Sequence, residues 1–312
     1  MADVVITGVS SFVGHHLARH WASLGHRVIA TISRPLEQYS GVEAERLAAI
    51  APYVEITGLD VRESRHIGAL IDRCTPSLWI QHAGFARGYG SLEYDLDLGH
   101  AVNVAPLTQL YSALRGSRCS VIVTGSSTEY AAADVGNRES DACVPDTPYG
   151  LSKLAETLRA RQLAAQYGVS TRVARLYIPF GARDNPQKLL MQVVTKLRNR
   201  EPIALSPCEQ KRDFLGITDV CEVYERLAGD LTKAGFAVFN VGSGEPVVLR
   251  DFLAEIATRL GADHALLHFG AIAMRAGEPP ICYADISRVR AVLGFDPTPL
   301  SAAIDRDLLG SA

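Results

Sequence analysis

Long hydrophobic runs are missing from this 312-residue chain. No window approaches ~18 consecutive apolar residues, which excludes a membrane-spanning helix. A regular cysteine pattern is missing too. The six cysteines, at 74, 119, 143, 208, 221 and 282, form no Cys-x-x-Cys pair, so neither a zinc cluster nor a disulfide framework is expected. Positive charge is not in excess. Lys plus Arg number 31 against 34 for Asp plus Glu, a net charge of −3, which leaves no electrostatic footprint for nucleic acid. Any anionic ligand must therefore be held by a local arrangement of donors. Gly at 26 and Pro at 15 are ordinary counts, which excludes collagen-like and linker-rich chains. The opening Met1-Ala2-Asp3-Val4-Val5-Ile6 lacks the basic segment of a secretory signal. A cytoplasmic protein with reduced, mostly buried thiols is the expectation.

What is present is a strand–helix rhythm. Val4–Thr7, Arg27–Thr31, Tyr53–Ile56, Leu78–Ile80 and Val121–Thr124 are short, apolar and β-branched, as strands buried on both faces should be. Between them lie helical spacings: Leu17, Trp21 and Leu24 in the first, Leu107, Leu110, Tyr111 and Leu114 in the fourth. Arg172–Leu176 supplies a sixth strand. Alternating strands and helices imply right-handed crossovers and an α/β, doubly wound parallel sheet of the Rossmann type. Beyond residue 176 the rhythm breaks into Pro- and Gly-rich segments with short strands such as Ala237–Asn240. The expected division is a dinucleotide-binding domain over 1–176 and a smaller substrate-binding lobe over 177–312. The site is expected in the cleft at the sheet's carboxyl edge.

Three motifs carry chemistry. The first is Thr7-Gly8-Val9-Ser10-Ser11-Phe12-Val13-Gly14, directly after strand one and opening helix one. A glycine turn there lets backbone N–H groups and a helix N-terminus face a pyrophosphate. The second is Tyr149-Gly150-Leu151-Ser152-Lys153, whose ends share a helix face, so that phenol and ammonium can meet in one cleft and the cation can favour phenolate. The third is Ser126 at the end of strand five, a hydroxyl suited to polarise a reacting oxygen. Strand two ends Ser33-Arg34 without the carboxylate of an NAD site, so NADP(H) is favoured, with NAD(H) as the alternative.

Taken in order and spacing, these residues resemble the extended short-chain dehydrogenase/reductases, in the NAD(P)-dependent nucleotide-sugar epimerase/dehydratase/reductase branch. Asp60-Val61, Asn103, Arg212-Asp213-Phe214, Asn240-Val241-Gly242 and Arg275-Ala276-Gly277-Glu278 extend the resemblance along the chain. The resemblance implies that Tyr149 is the acid/base, that Lys153 lowers its pKa and holds the nicotinamide ribose, and that Ser126 completes the catalytic set. It implies a pyrophosphate turn from Gly8, Ser11, Phe12, Val13 and Gly14, an adenine pocket at Asp60 and Val61, and a small residue beside the cofactor at Ala83. It also implies substrate contacts from Ser127, Asn103, Arg212 and Arg275, a nucleotide-sugar substrate, and a homodimer through helices four and five.

The chain departs from the family pattern in ways that narrow the reaction. Ile178 stands where the family usually has an asparagine that helps bind the sugar nucleotide, and strand four ends Gln81-His82-Ala83-Gly84. The 4,6-dehydratases resemble one another in carrying acidic residues immediately after the catalytic hydroxyl. Here those positions are Ser127 and Thr128, with Glu129 displaced by one. The leading expectation is an NADPH-dependent ketoreductase of a nucleotide-linked keto-sugar. A cofactor-recycling epimerase or dehydratase and a catalytically silent dinucleotide-binding regulator are the alternatives.

Overall fold

The structure is a computed structural model and describes residues 3–274 and 277–310. Seven parallel strands form the central sheet: β1 (Asp3–Thr7), β2 (Arg27–Ile32), β3 (Glu55–Gly58), β4 (Leu78–Gln81), β5 (Ser120–Ser126), β6 (Thr171–Leu176) and, much later in the chain, Phe236–Val241. Their spatial order is β3-β2-β1-β4-β5-β6 followed by Phe236–Val241. The order reverses between β1 and β4, the switch point at which open α/β sheets bind ligands beyond the strands' carboxyl ends.

The unbroken apolar character of the strands follows from covering both faces. Val4, Ile6, Val28, Ala30, Ile80 and Ile122 point to one side, onto helix α1 (Phe12–Ser23) with its Leu17 and Trp21. Val5, Ile29, Trp79, Val121 and Val123 point to the other. They pack on α3 (Ser64–Cys74), α5 (Ala105–Ala113) and α6 (Pro148–Tyr167). Preceding α3 and α5 in the chain are α2 (Gly41–Ile50) and α4 (Leu96–Gly99), the latter joined to α5 by a π-helical turn, His100–Val104. Helix α6 is well specified at both ends. Thr147 caps Gly150 N–H, Pro148 occupies the first turn, and Gly168 closes it in the left-handed region.

Two expectations shift. β3 begins at Glu55, not Tyr53, because the turn after α2 carries the chain on to Val54 before it can pair with Ile29. Leu24 is the C-cap of α1 and exposed, not a core position.

The remaining elements are β7 (Ile178–Phe180), α7 (Leu189–Arg198), β8 (Ile203–Leu205), β9 (Lys211–Arg212), β10 (Phe214–Gly216), α8 (Ile217–Asp230), β11 (Phe236–Val241), β12 (Val247–Val248), α9 (Leu249–Arg259), β13 (Leu267–Phe269), β14 (Ile281–Cys282), α10 (Ser287–Leu293) and α11 (Leu300–Ala303). A separate core of Phe180, Phe214, Phe252, Leu253 and Ile304 holds the smaller lobe, with Phe214 stacked on Phe252 at 4.0 Å. The expected cut at residue 176 needs correction here. β11 pairs with β6 along its whole length, and α8 packs with α1 against the large sheet. The chain thus leaves the dinucleotide-type sheet after β6, builds part of the small lobe, returns to finish the sheet, and leaves again. Among the described residues no helix is long and apolar enough to cross a membrane.

Candidate active site

The turn after β1 is shaped by close approach. Gly8 adopts φ +74°, and a Cβ on it would lie 2.8 Å from the Ala83 Cα; one on Gly14 would lie 2.4 Å from the Gly8 carbonyl oxygen. Ser11 caps α1 by accepting from Gly14 N–H at 3.1 Å while its own hydroxyl donates to Gly8 O at 2.8 Å. Phe12 and Val13 are the first two residues of the helix, and their N–H groups find no carbonyl within it. A turn this tight, at a helix N-terminus and at the switch point of the sheet, fits the pyrophosphate of a dinucleotide.

Thr7 and His82 tie this turn to the rest of the cleft. The Thr7 hydroxyl accepts from both His82 N–H (2.9 Å) and Ala83 N–H (2.8 Å), which clamps the end of β4 beside β1. The His82 ring bridges Ser11 Oγ (2.9 Å) and Thr124 Oγ1 (3.0 Å), and Thr124 in turn meets the Tyr224 hydroxyl of α8 at 2.7 Å. Desolvation, with the Lys153 charge nearby, pushes the His82 imidazole down to about 4, so it is neutral at pH 7. His82 is therefore a strut between the turn and β5. His15, buried on α1, is likewise pushed down to about 3 by desolvation and by His16.

Ser126, Tyr149 and Lys153 lie near one another. Ser126 ends β5 and bonds to Thr128 Oγ1 at 2.8 Å. Tyr149 lies in the first turn of α6, with its ring edge-on to Tyr94 (5.6 Å) and Tyr89 (6.0 Å). A Cβ on Gly150 would lie 2.2 Å from Thr128 O, so α6 can press against the 127–129 turn only because residue 150 has none. Lys153 is buried beneath them, donating to Thr124 O at 2.6 Å and to Glu156. Lys153 lowers the Tyr149 phenol as expected, but with the protein groups alone the phenol is pushed up overall. Desolvation is the largest cause, and the Lys153 charge opposes it without overcoming it.

The carboxylate three positions after Ser126 is locked away. Glu129 has no exposed surface, accepts from Ser126 N–H at 2.9 Å and pairs with Arg175 Nε at 2.8 Å. Asn103, expected on substrate, is also corrected. It is fully buried, accepts from Phe85 N–H at 2.7 Å and donates to Ser152 Oγ at 2.9 Å. It fastens the loop after β4 to α6.

Other expected positions are placed as follows. Ser33 and Arg34 stand exposed at the end of β2; the Arg34 guanidinium pairs with Glu43 at 2.7 Å and lies 4.3 Å over the Tyr39 ring. Asp60 grips Arg62 through both oxygens, and these bonds hold its carboxyl below the usual range, while Val61 is buried. Ser127 is half-buried in the turn beyond Ser126. Arg212, on β9, is largely buried and paired with Glu278 at 2.8 Å. The adjacent Asp213 accepts from Ser243, Gly244 and Ala284 N–H groups and so stitches the small lobe's loops together. Ile178 is partly exposed. Arg275 lies outside the described residues. Thr7, Thr124 and Glu156 were not legible as site residues. Only Glu156 left a trace in the sequence, a carboxylate three positions after Lys153 and hence on the same helix face.

Over residues 4–242 the chain matches the NAD dependent epimerase/dehydratase family. It is 28% identical to a dTDP-4-dehydro-6-deoxyglucose reductase of Escherichia coli over 63% of this chain and 62% of that one, just under two thirds of the relative. It is 24% identical to CDP-abequose synthase of Salmonella muenchen over 91% of this chain and 89% of that protein. MoeE5, solved in complex with UDP-glucuronic acid and NAD, has the same fold, with a TM-score of 0.81 at 23% identity over 98% of this chain and 97% of that one. With its parallel sheet, glycine turn and Ser-Tyr-Lys cleft, the chain belongs to the NAD dependent epimerase/dehydratase family.

Proposed function

We propose that this protein is a ketoreductase that uses a reduced nicotinamide dinucleotide, NADPH in preference to NADH, to convert a nucleotide-linked 4-keto-sugar to the alcohol. The observation that sets the dehydratase reading aside is Glu129. Elimination of water needs an acid and a base beside the catalytic hydroxyl, yet positions 127 and 128 are Ser and Thr, and Glu129 is committed to Arg175. Ser126 and Tyr149 remain, enough to polarise a carbonyl and protonate its oxygen. The resemblance to a dTDP-4-dehydro-6-deoxyglucose reductase supports the same reading.

Gly8, Ser11, Phe12, Val13 and Gly14 would hold the pyrophosphate, Asp60 and Val61 the adenine, Ala83 would pass beside the cofactor, and Lys153, with a third N–H not spent on Thr124 or Glu156, would hold the nicotinamide ribose. When bound, the reduced nicotinamide supplies the hydride. Ser126 Oγ holds the substrate oxygen, and the Tyr149 O–H gives it the proton. Ser127 and Arg212 are proposed to hold the sugar and the diphosphate. A second copy is proposed to pack on α5 and α6, where Leu151 and Leu158 are exposed. The test is incubation with nucleotide-linked 4-keto-sugars and nicotinamide-deuterated NADPH. One NADPH consumed and one deuterium incorporated per product supports the reductase; a changed sugar without net oxidation of NADPH identifies an epimerase.

Two predictions belong here. A 2′-phosphate at Ser33-Arg34 has to take the guanidinium from an exposed pairing with Glu43, which is worth little. Arg34→Ala is expected to weaken NADPH roughly tenfold or more, as loss of a charge-assisted bond implies, and to leave NADH nearly unchanged in titration calorimetry. If NADH binds the wild type as tightly as NADPH, the NADP preference is wrong. Arg212→Ala should raise the Michaelis constant for a nucleotide-linked sugar about tenfold or more, a charge-assisted bond to phosphate being worth roughly 1.5–3 kcal/mol. A wild type that prefers the unlinked sugar would remove the diphosphate role.

A further inference from the structure

Lys153 is not the last charged residue of the catalytic helix face. Three residues on, Glu156 contacts its ammonium directly, and both side chains are almost wholly buried (7% and 1% exposed). The second carboxylate oxygen, Oε1, has no hydrogen-bond partner. A half-satisfied carboxylate in a dry site is costly, and the structure supplies it with one cation only.

We propose that Glu156 is a positioning residue, which pins the Lys153 ammonium against Thr124 O and offsets its charge so that Tyr149 enters the reaction as a proton-donating phenol. The inference rests on the reductase reading for its direction. Reduction of a ketone needs a protonated tyrosine at the outset, whereas chemistry that begins by oxidising an alcohol needs a base there. A lone lysine beneath the phenol favours the phenolate; a lysine already matched by a carboxylate favours it much less.

The surroundings agree. Burial pushes the Glu156 carboxyl up, with the Lys153 charge pulling the other way. Burial works against the Lys153 charge as well, yet Glu156 holds the ammonium raised. Of the other groups facing the pair, Glu129 is paired with Arg175 and adds a smaller push upward on both Lys153 and Glu156, and His82 at the end of β4 is neutral. Tyr111 of α5 and Tyr224 of α8 are phenols raised by burial, and Tyr94 is raised likewise. Glu156 is therefore the one carboxylate beside Lys153, among the described residues, that no arginine compensates.

The test reads Tyr149 directly, without substrate. Protein labelled with ¹³C at the tyrosine ζ carbon and saturated with NADP⁺ is titrated by NMR, with Tyr149→Phe identifying the resonance among the 11 tyrosines. Glu156→Gln keeps the shape and removes the charge, and its Tyr149 midpoint is expected to fall by about one pH unit or more, a tenfold rise in phenolate at a given pH. Glu156→Asp, whose shorter carboxylate is drawn back from Lys153, is expected to shift the midpoint part of the way in the same direction; it carries the test if the Gln variant does not fold. A midpoint that is unchanged or raised in the folded variants overturns the proposal. Product analysis with deuterated NADPH decides the reductase reading separately, so the two can fail independently.

Discussion

Replacing Tyr149 with phenylalanine is expected to cut turnover by about 10²- to 10⁴-fold, the usual contribution of a positioned acid or base, with dinucleotide affinity close to that of the wild type. The substitution is unusually clean in this cleft. The ring contacts to Tyr94 and Tyr89 are edge-to-face packing that phenylalanine reproduces, and Gly150, not Tyr149, sets how closely α6 approaches the 127–129 turn. Only the O–H is lost, and with it the donor that faces the Ser126 hydroxyl. Desolvation pushes this phenol up, which favours its protonated form. Steady-state kinetics with calorimetric titration of the dinucleotide separate the two effects. Near-wild-type turnover in the variant would make Tyr149 a packing residue and move the protein toward a dinucleotide-binding regulator.

Arg175→Met should destabilise the fold by about 3–5 kcal/mol, because it strands the Glu129 charge in an interior with no exposed surface. Methionine fills most of the volume beneath the Tyr130 ring, over which the guanidinium lies at 4.5 Å, so the loss reads charge more than packing. Adding Glu129→Gln to Arg175→Met should restore much of the stability, since the amide still offers an oxygen to Ser126 N–H. Urea unfolding of the two single variants and the double variant measures the coupling. Should Arg175→Met prove neutral, Glu129 does not depend on its partner, and a carboxylate free to act beside Ser126 would reopen the dehydratase reading.

The sheet strands were legible because both faces are covered, which writes runs such as Val4-Val5-Ile6 and Val121-Ile122-Val123 directly into the sequence. The glycine turn and the Tyr149–Lys153 pair were legible because close approach and helical spacing restrict which residues fit. Asn103 was not. Its direction depends on the π-helical turn at His100–Val104 and on the loop from Phe85 to Tyr94, neither of which has a periodic signature. Phe236–Val241 was recognisable as a strand, but a short apolar run carries no record of which sheet it joins. His82 was visible as a residue and invisible as a strut, since its partners, Ser11 at the N-cap of α1 and Thr124 within β5, lie far from it in the chain.

The return of the chain to pair β11 with β6 has a consequence for how the protein is made. As the nascent polypeptide leaves the ribosome, β6 can join β5 at once, but its outer row of N–H and C=O groups stays bare until Phe236–Val241 has been translated. During that interval the growing sheet presents a raw edge, the kind of surface on which chains pair with the wrong partner. Cutting the gene after the sixth strand would make that interval permanent. Part of the smaller lobe is thus placed, in order of synthesis, between two strands of the larger one, and the step that seals the sheet comes only after that part has emerged.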